Sequence, residues 1–215
     1  MRKLLLICAL GLTPLLMTGC QSAYYSAMEK VGVHKRDILV DRVEDTRDAQ
    51  DEAQAQFLNA LDQFRSVVNF EGSELEAAYN KLQKEYDRSE AAANEVSEHI
   101  RKVEDVADAL FDEWEEELGQ YTSASLRAES ARALAETRSR YKELRTSLKR
   151  AESRMQPVLS ALLDNTLYLK HNLNARAIGS LKGEFAGIKA DIDRLVTDMQ
   201  RSIQESDKFI RAMKQ

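Results

Sequence analysis

Prolines number two, glycines eight and cysteines two in a chain of 215 residues, and each scarcity excludes something. Collagen-like and proline-rich architectures are ruled out by composition, and two thiols cannot staple a small disulfide scaffold. A β-sandwich or doubly wound sheet turns every ten residues or so, and the chain lacks the glycine and proline for that many turns. Histidines are three, His34, His99 and His171, with no His-Glu-x-x-His and no paired Glu-x-x-His among them, so neither a zinc site nor a di-metal bundle has local support. The Glu95–His99 spacing reads as a surface pair. Gly-x-x-x-x-Gly-Lys-Ser/Thr and the dinucleotide fingerprint are missing, and Gly179-Ser180-Leu181-Lys182-Gly183 has the wrong order for a nucleophile elbow. The expectation is therefore no catalytic residue, no cofactor, no metal and no nucleotide.

What is present begins with a destination signal. Arg2 and Lys3 precede an apolar run, Leu4 to Met17, interrupted by Pro14 and closed by Thr18-Gly19-Cys20. That is the layout of a secretory signal peptide, and the run is short of the roughly 20 apolar residues a spanning helix needs. Met17-Thr18-Gly19-Cys20 resembles the lipobox of bacterial lipoproteins, in which the cysteine becomes the first mature residue and is acylated. The expected layout is a signal over 1–19, a lipidated tether over 20–27 with Cys20 as the anchor point, and a single helical bundle over 28–215. Several acyl chains at about 0.8 kcal/mol per methylene anchor stably where one alone is marginal. Gln21 stands where Asp would resemble an inner-membrane retention signal, so the periplasmic face of the outer membrane is the expected location. Without Arg2 and Lys3 the balance is 29 basic against 36 acidic residues. So acidic a surface argues against nucleic-acid or phosphate binding.

Beyond the tether, apolar residues step by four and three, the repeat that keeps one seam against a partner helix. Leu39, Val43, Thr46, Gln50, Ala53, Phe57, Ala60 and Phe64 form such a series, as do Leu82, Tyr86, Ser89, Ala93, Val96, Ile100, Val103 and Ala107. Two further series run from Leu134 to Leu169 and from Ile178 to Met213. Extra apolar residues beside the seams, such as Leu61, Val106, Phe111 and Ile210, widen the stripe beyond a two-stranded coiled coil. The predicted fold is all-α: an elongated antiparallel bundle of four long helices with coiled-coil-like packing. Three breaks separate them. Asn69 to Ser73 ends in a Ser73/Glu76 capping box, Gly119 to Ser123 pairs a stop with hydroxyl caps, and His171 to Asn174 rests on Asn174 as an N-cap. Should the third turn be absent, the last two stretches fuse into one arm that needs a second chain. Pro157 predicts a kink or short break near Met155-Gln156.

Two features suggest interaction. Gly179, Gly183 and Gly187 recur every four residues on the side of the last helix opposite its seam, where a bare backbone invites close approach. Either another helix of the bundle or a docking partner could fill that stripe. Tyr24 and Tyr25, followed by Lys30, Lys35 and Arg36, suit the headgroup layer beneath a lipidated cysteine. The acidic run Asp112 to Glu117 reads as a solvated helix end.

The stretches Arg36 to Asp45, Ala109 to Leu118 and Leu169 to Ile178 resemble a family of Gram-negative bacterial envelope proteins classed as a domain of unknown function. The resemblance covers nearly the whole mature chain and implies a helical, exported, frequently lipid-anchored protein with no assigned reaction. The functional expectation is a membrane-tethered scaffold or adaptor that contacts an envelope protein or a second copy of itself. The rival expectation is a carrier of lipids or other amphiphiles, with Tyr79, Tyr86, Phe111 and Trp114 lining an apolar groove.

Overall fold

The computed structural model describes residues 28, 32–70 and 74–214. The seams are realised as four helices: α1 Lys35–Val68, α2 Leu75–Glu117, α3 Ala124–His171 and α4 Ala175–Met213, with a 3₁₀ turn, Leu118–Gln120, after α2. At 1.5 Å per residue they run from about 50 to about 72 Å. No strand occurs among the described residues. The chain from Lys35 on forms one compact unit. In the residues before it, Gly32 takes a φ of 86° and the Val33 N–H donates to the Met28 carbonyl at 3.0 Å, a left-handed turn that favours glycine. The sequence reading carries the first helix through this point; α1 starts after it.

Cross-helix contacts fix the topology. Lys35 meets Glu113 and Gln56 meets Glu85, so α1 and α2 are antiparallel. The same relation holds for α2–α3 from Arg138–Glu115 and Arg145–Glu104, for α3–α4 from Arg154–Asp198 and Tyr168–Ser180, and for α4–α1 from Arg47–Asp207 and the stack of Phe64 on Phe185. Each helix packs mainly on two neighbours, α1 and α3 both flanked by α2 and α4. The result is an up-down-up-down bundle, with the α1–α2 pair on one side and the α3–α4 pair on the other.

The core is the predicted set of seams. Leu39, Phe57, Phe64, Leu82, Ile100, Leu144, Leu148, Leu162, Ile192 and Leu195 are fully buried, each contributing about 1.5–3 kcal/mol of transfer free energy. Polar members of the seams are buried too. Thr46, Ser89 and Thr166 return their hydroxyls to the carbonyl one turn back, at 2.7 to 2.8 Å.

The turns separate the helices as their chemistry requires. Ser123 Oγ accepts from the Leu126 N–H at 3.4 Å to start α3. Asn174 Oδ1 accepts from the N–H groups of Arg176 and Ala177 at 3.0 and 3.2 Å, so α3 and α4 are two helices and not one arm. Glu74 stands at the N-cap of α2 without a side-chain cap, and the Ser73 half of the predicted capping box lies outside the described residues. Pro157 does not break α3. The helix is continuous from Ala124 to His171 because Pro157 and Ser153, whose carbonyl loses its amide partner, both lie on the exposed face.

Candidate interaction surfaces

No group of three or more His, Cys, Asp or Glu side chains that could hold a metal ion occurs among the described residues. Glu95 and His99 form the expected half-exposed pair, with Nε2 4.0 Å from the carboxylate. The four aromatic residues proposed to line a groove do not converge. Tyr86 and Phe111 are buried in α2, 25 positions apart, or about 37 Å along the helix, while Tyr79 and Trp114 are half-exposed. Each has a local partner. The Tyr86 hydroxyl donates to Glu90 at 2.7 Å, and burial together with that carboxylate pushes its pKa up to about 12. Trp114 Nε1 donates to Ser130 Oγ at 2.8 Å, and Phe111 meets Tyr141 edge-on at 5.4 Å. Burial raises the Tyr141 pKa, and the Asp108 and Glu104 carboxylates add to the shift. Its hydroxyl has no hydrogen-bond partner among the described residues.

The glycine stripe is open. Ile178, Leu181 and Ile188 of α4 are buried, whereas Gly179, Gly183 and Gly187 are exposed on the other side. A methyl group added at any of the three would meet nothing within 4 Å among the described residues. Of the two ways to fill the stripe, packing by another helix of the same bundle is therefore overturned. The reason is register: a spacing of four keeps the glycines on one face, and that face is the one the Ile178–Leu181–Phe185–Ile188 seam turns outward. Cys20, Tyr24 and Tyr25 lie outside the described residues.

Charge is divided between the two sides, which no local motif reveals. On α1 eight acidic residues face five basic ones, and α2 carries fourteen acidic against five basic. Along α3 the balance reverses to ten basic against five acidic, and α4 has seven against six. Where α2 touches α3 the signs are matched: Arg138 bonds Glu115 at 2.8 Å, and Arg145 and Lys149 share Glu104 at 2.7 and 3.5 Å. Partial desolvation first and the neighbouring Asp112 second raise the carboxyl pKa of Asp108, itself a surface residue, against the pull of Arg145. The acidic run ends α2 beside exposed Tyr121 and Leu126, the latter 54% exposed.

Four helices packed around a shared apolar core define an all-α helical bundle. Residues 24–213 match the family described as "Protein of unknown function (DUF2959)", and the chain belongs to that family. No curated protein matches it in sequence.

Proposed function

We propose that the protein is a lipid-anchored scaffold or adaptor on the periplasmic face of the outer membrane, tethered through Cys20 and acting by protein contact. The observation that carries this reading is the contrast between interior and surface. Inside, α1 to α4 fill the seams with their own side chains. Outside, an open glycine stripe on α4 and two flanks of opposite charge are left for other molecules. Bundles that work on small molecules place convergent polar groups or an enclosed apolar cavity between helices. The grooves described on α3–α4 are open and lined largely by charged and polar side chains. This favours the scaffold over the amphiphile carrier.

Labelled palmitate should join Cys20, and Cys20→Ala should move the protein out of the membrane fraction. Crosslinking in intact cells should then trap protein in stoichiometric amounts. Co-purified lipid without a protein partner in native mass spectrometry would instead establish the carrier.

A further inference from the structure

The side of the bundle formed by α3 and α4 carries two adjoining grooves of about 530 and 590 Å³. Their walls hold Arg140, Lys142, Arg150, Arg201, Lys208 and Arg211, against only Glu143 and Glu205. In a chain of net charge −5, six cations and two carboxylates along one furrow is a local reversal of sign. Three of the six pair only with a carboxylate one turn away on their own helix. Arg140 is 4.0 Å from Glu136, Arg201 is 3.6 Å from Asp198, and Lys208 is 3.3 Å from Glu205. Lys142, Arg150 and Arg211 make no ion pair among the described residues, unlike Arg138, Arg145 and Arg154, which bond carboxylates across helices.

The opposite side of the same molecule is complementary. Asp51 and Glu52 of α1 and Glu98 of α2 are exposed, Glu98 paired only with Lys102 one turn away on its own helix at 2.6 Å. The Gln56–Glu85 and Lys35–Glu113 contacts set a register that brings these three acids to within about two helical turns of one another along the bundle axis. We propose that the α3–α4 furrow around Lys142, Arg150 and Arg211 seats the acidic α1–α2 flank of a second copy, so that chains associate side by side. The proposal deepens the scaffold reading and rests on it.

Three observations select this occupant. The two charged flanks lie on opposite sides of one bundle, so the contact is heterologous, one patch against a different patch, and adds copies in a row without closing. Copies related by translation keep every α1 start at the same end, which suits molecules tethered to one surface. The furrow also contains Glu143 and Glu205, which would repel a bare phosphate but can face Lys84, Arg88 or Arg101 of a mainly acidic helix.

The test combines two measurements on the full chain. A photo-crosslinker replacing Arg150 in intact cells should yield a covalent dimer whose second end maps to α1 or α2. Purified protein should sediment as concentration-dependent oligomers at about 20 mM salt and as monomer near 500 mM, where screening shortens the range of charge to a few ångström. The triple variant Lys142→Glu, Arg150→Glu, Arg211→Glu should weaken association about tenfold or more, as charge reversal at a complementary contact does. Lys182→Glu, a cation of α4 outside the furrow, should leave it unchanged, with circular dichroism confirming that both remain helical. Monomer at low salt, a crosslink that maps to α3–α4 of the second copy, or unaltered association in the triple variant would each overturn the inference. Capture of a different envelope protein alone would sink self-association and leave the scaffold standing; capture of no protein from any position on the surface would end both.

Discussion

At Gln50 both amide atoms are buried in the α1 seam without a hydrogen-bond partner among the described residues, and the residue is 0% exposed. The Arg47–Asp207 pair sets the register that places α4 residues Ser202 and Ser206 alongside, and those two buried hydroxyls are unpartnered as well. An unsatisfied buried polar group costs about 1–3 kcal/mol. Gln50→Leu, which keeps the volume and removes the amide, should therefore stabilise the bundle by about that amount, read as a higher urea midpoint. A lower midpoint would mean that the amide is satisfied in solution. Asp108 makes the pH-dependent case. Its folded pKa is raised, so the stability it contributes is present below the unfolded pKa and is lost as pH rises through the folded one. Near pH 7 its charge is therefore a liability, and Asp108→Asn should raise the melting temperature there. That gain should shrink as the buffer is taken down through the carboxylate range. Sequence alone marks Gln50 and Asp108 as a seam residue and a member of an acidic helix. Which of them lacks a partner, or is crowded by another charge, depends on neighbours contributed by other helices.

The α4 helix keeps three glycines in its interior, each about 1 kcal/mol less favourable there than alanine. Since a methyl group meets nothing at Gly179, Gly183 or Gly187, the triple alanine variant should gain about 2–3 kcal/mol, measured by chemical denaturation. Gly183→Leu should fold equally well; if the stripe is a docking face, that variant alone should lose the crosslinked partner. Element boundaries were the most legible part of the fold. Asn174 and Ser123 announce helix starts because a side-chain oxygen beside free N–H groups is local chemistry, and both cap as expected. Gly32 was passed over because a lone glycine in a helical pattern leaves no sign of its φ until the chain turns. At Pro157 the break offered as one outcome does not occur, for the converse reason. Its cost depends on which face carries it, and on the exposed face of a long helix packed on two sides the helix continues.

At the scale of the molecule, the seams read from the sequence predicted the bundle, because burying four apolar stripes together leaves few other arrangements. The charge division stayed hidden. Every acid and base is visible in the sequence as a helix-surface residue, but that α1 and α2 share one side opposite α3 and α4 is a property of the packed whole. The same division has a consequence for the chain cut in two. Severing it within the link that follows the 3₁₀ turn, between Gln120 and Tyr121, yields one hairpin rich in carboxylates and another rich in guanidinium and ammonium groups. Each fragment would be left with an exposed greasy stripe shaped to the other. Expressed separately, the halves should find one another on mixing and recover the helical signal of the intact protein in circular dichroism, faster in dilute buffer than in concentrated salt. The ordinary failure of a split protein, clumping of like halves, is opposed here because each half repels its own kind.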